Sequence, residues 1–164
     1  MRTSSEWNFL SDDQKAIISS HQINLPVPVG AIAKDLGLVI LKSTMPGSIS
    51  GEIREAEGIV TIKVNRHDVK ERQRFTIAHE IAHFLLHRER LAGGITDDVL
   101  YRSRLSDDLE REANRLAADI IMPTTLIQEA LITHSTLKPE DRYKKIAELA
   151  QVSLAAIKIR TGKK

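Results

Sequence analysis

Apolar residues recur along the chain with two periods, and each change of period marks a new element. Ala16, Ile17 and Ile18 follow Ser11-Asp12-Asp13-Gln14, a hydroxyl with Gln three residues later, which is the capping-box form that opens a helix. Pro26 and Pro28 interrupt that segment. Val29, Ile32, Ala33 and Leu36 then return at helical spacing until Gly37 supplies a stop, so a second short helix is predicted. The spacing next shortens to alternation, clearest in β-branched Val60, Ile62 and Val64. Strands are predicted over 38–42, 48–54 and 58–65, the last two made antiparallel neighbours by the polar break at 55–58.

Past residue 66 the helical period dominates. Asp68 and Glu71 form a capping pair for a helix running to about His87, with Ile77, Ile81 and Leu85 along one face. The stretch 88–106 contains Gly93-Gly94 and little periodicity, which predicts a surface excursion. Ser106 then caps a further helix whose first turn holds Asp107 and Asp108, where the helix dipole favours acidic groups. Leu109, Ala113, Leu116 and Ile120 form its buried stripe, and Pro123 ends it. Two shorter helices, near 139–150 and 153–161, fill the remainder. The expected fold is α+β: one mostly helical domain over 1–164 with a small, mainly antiparallel three-stranded sheet packed on the helix that ends near His87. Within it, 1–66 supplies the first helices and the sheet, 67–123 a helix pair, and 124–164 the C-terminal helices.

Composition narrows the chemistry. With 164 residues and 41% hydrophobic content, the chain suffices for one core and is short for two. Twenty-four Lys+Arg against 22 Asp+Glu leave a formal charge of +2, without the basic excess of a dedicated nucleic-acid binder. There is no cysteine, so disulfides and thiolate metal sites are excluded and any metal must be held by nitrogen and oxygen. No apolar run reaches the roughly 18 residues of a membrane span, and the first ten residues lack a secretion-signal pattern. A soluble, cytoplasmic protein is expected.

The stretch His79-Glu80-Ile81-Ala82-His83 carries the most specific chemistry. Histidines four apart on a helix lie one turn above each other and can bind one ion, and the pair falls on a face apart from Ile77, Ile81 and Leu85. The expected metal is zinc (Zn2+), with Glu80 as the general base toward the water that the metal activates. A catalytic zinc site takes three protein ligands. The downstream helix offers Glu110 and Glu112 for the third, and Glu110 shares a face with Asn114, which is placed to support a ligand from behind.

Two segments resemble the ImmA/IrrE family of metallopeptidases. They are Arg74-Phe75-Thr76-Ile77-Ala78-His79-Glu80-Ile81-Ala82-His83-Phe84-Leu85-Leu86-His87 and Glu110-Arg111-Glu112-Ala113-Asn114-Arg115-Leu116-Ala117-Ala118-Asp119-Ile120-Ile121-Met122-Pro123. The resemblance implies a gluzincin-like site in which the glutamate four residues before the Asn, Glu110, is the third zinc ligand. It also implies a small cytoplasmic endopeptidase that cleaves a helix-turn-helix repressor in a stress or mobile-element response.

Other residues compete for roles. His87 continues the histidine row but lacks the Gly-containing bend that returns a third histidine to the metal in metzincins. A peptide deformylase would need a cysteine ligand. Tyr101, Arg102 and Arg104 in the excursion are candidates for oxyanion stabilisation, set against the ordinary richness of surface loops in such residues. The segment 146–158 resembles a helix-turn-helix, and the alternative function is therefore a DNA-binding or protein-docking regulator with a structural metal site. Against direct DNA binding, Gln151 stands where such turns often have Gly, and the second helix begins with apolar Leu154-Ala155-Ala156. Oligomeric state is not encoded in any of these motifs.

Overall fold

The computed structural model describes residues 1–98 and 107–163, with backbone alone at 95–98. A 3-10 turn over Ser5–Phe9 leads into α1 (Asp12–His21). Ser11 caps α1 through the full capping box, its hydroxyl accepting from the Gln14 backbone N–H while its own N–H donates to the Gln14 side chain. After α2 (Val29–Asp35) come β1 (Val39–Ser43), β2 (Ile49–Ala56) and β3 (Ile59–Asn65). Each predicted strand is present, with its ends within two residues of the expected ones. The β2–β3 hairpin turns on Glu57 and Gly58, both at positive φ (52° and 76°), the two-residue geometry whose twist matches the flanking strands.

The sheet is mixed, in order β1-β3-β2-β4. β1 runs parallel to β3, and β2 is antiparallel to β3. The fourth strand, β4 (Ile95–Asp98), pairs antiparallel with β2 and lies inside the stretch expected as an excursion. Val60, Ile62 and Val64 turn inward while Ile59 and Lys63 face out, so one sheet face is solvated and the other meets the helices.

The long helix α3 (Lys70–Leu86) covers β2 and β3. Its N-cap is Val69, with no side-chain cap, so the Asp68–Glu71 pair does not act as the capping device expected. Alongside α3 packs α4 (Asp107–Ile121). Ala78 and Ala82 on one helix and Ala113 and Ala117 on the other are fully buried, and such short side chains allow two helix axes to approach closely. The predicted cap Ser106 lies outside the described residues, as do Tyr101, Arg102 and Arg104.

Pro123 ends α4 and begins α5 (Thr124–Thr133), a helix the apolar pattern does not announce; α6 (Pro139–Ala150) and α7 (Leu154–Thr161) follow. Arg74 of α3 anchors this last pair: its guanidinium donates to the carbonyls of Val27 (2.8 Å), Gln151 (3.3 Å) and Ala150 (3.5 Å). Gln151 adopts the left-handed conformation at φ 51° that a glycine would fill without strain. Both cations of α7 are paired, one at the surface and one inside. Lys158 pairs with Glu140 at 2.9 Å, and Arg160 meets Asp119 at 2.8 Å with both side chains nearly inaccessible. No single helix among the described residues is long and apolar enough to cross a membrane.

Candidate metal centre

The α3 and α4 pair brings three of the sequence-predicted residues to one point. His79 and His83, one turn apart on α3, set their Nε2 atoms 3.0 Å from each other. From α4, Glu110 places one carboxylate oxygen 3.3 Å from His79 Nε2 and the other 3.3 Å from His83 Nε2. Both rings are buried, and Glu110 is a quarter exposed. Beside them opens a cleft of about 320 Å³ lined by Arg72, Phe75, Asp107, Arg111 and Asn114.

The hydrogen bonds behind the rings decide where their protons lie. Asn114 presents its carbonyl oxygen to His79 Nδ1 at 3.0 Å, so Nδ1 carries the hydrogen and the Nε2 lone pair of the neutral ring faces Glu110. His83 Nδ1 lies 3.0 Å from His87 Nδ1, and His87 Nε2 lies 2.9 Å from a Glu112 carboxylate oxygen. A carboxylate only accepts, so His87 donates from Nε2; a neutral His87 ring then has only a lone pair at Nδ1 and accepts from His83 Nδ1–H. The His83 Nε2 lone pair therefore also points at the common centre.

Burial pushes the His83 imidazole down toward the neutral form, against the attraction of the Glu110 carboxylate. For Glu110, burial opposes ionisation, but hydrogen bonds donated by His79 and His83 and the charge of a protonated ring outweigh it and hold the carboxyl well below the usual range, whereas with both Nε2 atoms bare that support is lost. Two lone pairs and a carboxylate converging within 4.8 Å repel one another unless a cation lies among them. Tetrahedral ligands at roughly 2.0–2.1 Å from zinc stand about 3.3 Å apart, close to the separations found here. The donor set thus fits a divalent ion that prefers nitrogen and oxygen.

Glu80, beside His79 in sequence, is fully buried and faces the sheet rather than bulk water. What makes room for it is Gly51 of β2. A Cβ on Gly51 would overlap Thr76 Cγ2 and stand 3.2 Å from both Glu80 Oε1 and the Lys63 carbonyl oxygen. The strand thereby lies against the helix at the turn that carries the carboxylate.

The model of the IrrE N-terminal-like peptidase domain matches residues 33–161, a span that takes in the sheet and both helices of the site. The chain belongs to this peptidase family. A curated relative, Metallopeptidase ImmA of Bacillus subtilis (strain 168), is 29% identical over 118 residues, covering 71% of this chain and 65% of that protein. The chain thus matches just under two thirds of that relative's length. The IrrE-like domain places His79, His83, Glu110 and Asn114 together in space, and it separates Glu112 from them, turning it instead to His87. Sequence reasoning weighed Glu112 as an alternative third ligand and His87 as a continuation of the histidine row, but did not join the two to each other. Gly51 was also overlooked, and a glycine within a strand pattern signals close approach by another element.

Proposed function

We propose that this protein is a zinc-dependent endopeptidase in which His79, His83 and Glu110 hold the metal and Glu80 is the general base. The observation that carries this is the convergence of two Nε2 lone pairs and one carboxylate at the mouth of a cleft. Zinc bound there would polarise a peptide carbonyl and make water nucleophilic near neutral pH. Asn114 fixes the tautomer of His79, and the buried carboxylate of Glu80 takes a proton from the attacking water and returns it to the departing amine. Family membership supports peptide hydrolysis, and the relative's name supports a metal-dependent one.

The substrate we propose is a helix-turn-helix transcriptional repressor, cleaved in the cytoplasm during a stress or mobile-element response. The α6–α7 pair supports protein cleavage over DNA reading, because Arg160 is engaged internally with Asp119 and Lys158 is paired at the surface with Glu140, so phosphates would have to displace both carboxylates. The test compares wild type with Glu80→Gln against a repressor encoded beside the gene, with fragments read by mass spectrometry. Glu80→Gln should keep fold and zinc yet lose cleavage by at least the roughly 10²–10⁴-fold attributed to general-base catalysis. Equal cleavage by the two proteins refutes the mechanism.

A further inference from the structure

Resting on the assignment of His83 as a metal ligand, we infer that His87 and Glu112 form a positioning pair that holds the His83 ring in its metal-binding tautomer. His87 is 3% exposed, and both of its nitrogens are engaged, Nδ1 with His83 and Nε2 with Glu112. Glu112 is the exposed end of this chain, with 38% of its side chain accessible. Because a carboxylate cannot donate, its contact orders the protons behind it when both rings are neutral: His87 donates outward from Nε2, His83 donates from Nδ1, and His83 Nε2 is left bare. The negative charge at the far end also raises the basicity of the ligand nitrogen through two hydrogen bonds.

The two ligand histidines are therefore supported differently. Behind His79 stands one neutral amide, Asn114, at 3.0 Å. Behind His83 stands a histidine relay that ends in a charge. The relay is built from both helices, since His87 follows the last turn of α3 and Glu112 lies in the second turn of α4. It ties the same two elements that Glu110 ties, through residues that do not line the cleft. Removing Glu112 frees His87 to flip its proton to Nδ1. Two Nδ1–H groups cannot face each other at 3.0 Å, so His83 would take the tautomer with hydrogen on Nε2, which cannot bind a metal.

The experiment measures zinc affinity of the purified full-length chain by competition with a chromophoric chelator, beside thermal melting. Partners that orient metal-bound histidines typically contribute 10–100-fold in affinity. Glu112→Leu, which removes the acceptor, should weaken zinc about 10-fold and His87→Leu about 100-fold, while His87→Gln, whose side-chain carbonyl can accept from His83 Nδ1–H, recovers most of the loss. Because Glu112 acts through His87, the double variant His87→Leu/Glu112→Leu should bind no more weakly than His87→Leu alone. A packing role alone would lower the melting temperature and leave zinc affinity unchanged. Should His87→Leu fail to fold, Glu112→Leu decides. Wild type without zinc affinity would remove the metal centre itself, whereas wild type that binds zinc with Glu112→Leu within about twofold of it would overturn the positioning pair alone.

Discussion

Gly51→Ala adds one methyl group where β2 lies against α3, and the structure sets its consequence. The new Cβ would overlap Thr76 Cγ2 and sit 3.2 Å from the Lys63 carbonyl oxygen, a backbone atom of the adjoining strand. Thr76 is 1% exposed and β-branched, so its χ1 has little freedom to yield. Relief must come from the strand and helix moving apart. Overpacking of this kind costs about 1–3 kcal/mol, and for a domain of this size each kcal/mol lowers the melting temperature by roughly 2–4 °C. A fall of about 2–12 °C is expected by differential scanning calorimetry. Glu80 Oε1 stands equally close to the added carbon, so Glu80, the proposed general base, should shift by a few tenths of an ångström while the proposed metal ligands stay. Since about 1 Å of misplacement can lower a rate 10²-fold, a loss of order tenfold in peptidase turnover with zinc retained is expected. Thr76→Ser deletes the obstructing methyl, and the pair should show a coupling of roughly 0.5–3 kcal/mol in a double-mutant cycle. If Gly51→Ala melts within about 1 °C of wild type, or if its effect is the same with Ser at 76, the close approach does not have the role assigned to it.

Three further outcomes can be checked independently. His79→Ala and His83→Ala should each abolish stoichiometric zinc, read by elemental analysis, because two donors do not complete the site; full occupancy in either would place the metal elsewhere. Glu6, buried beside Arg115 at 2.6 Å, has its carboxyl lowered by that guanidinium, so the pair stabilises the fold fully above the unfolded value of 4.5 and less as pH falls through the lower folded value. Glu6→Gln should therefore cost about 1 kcal/mol at pH 7, near the low end because Arg115 is half exposed, and its deficit should shrink as denaturation is repeated below the unfolded pKa. Gln151→Gly removes left-handed strain at the end of α6, and should raise stability by about 0.5–1 kcal/mol after the added unfolded-state entropy of glycine; a lower melting temperature would contradict this.

Much of this arrangement was legible in the residues because local chemistry fixes it. The Ser11–Gln14 box, the β-branched alternation at 60–64 and the four-residue histidine spacing each report one element and depend on no partner. What escaped notice depends on partners. β4 is a strand through its pairing with β2, and its own sequence, Ile-Thr-Asp-Asp, shows no apolar alternation. α5 begins directly after Pro123 with two threonines and is rich in isoleucine and leucine, so neither propensity nor period marks it off. The choice between Glu110 and Glu112 is likewise tertiary. Both belong to one helix two residues apart, and the crossing of α3 over α4 sends one to the paired histidines and the other to His87.

The buried alanines of α3 and α4 give the candidate centre a form of adjustment remote from its donors. Ala82 lies three residues after His79 and Ala113 three after Glu110, each on the same side of its helix as the donor it follows. Short side chains there let two helix axes approach closely, so the spacing between donors on the two helices depends on residues that are not among them. A change from alanine to valine at either position would press the helices apart and alter the bite offered to an ion without changing a single donor.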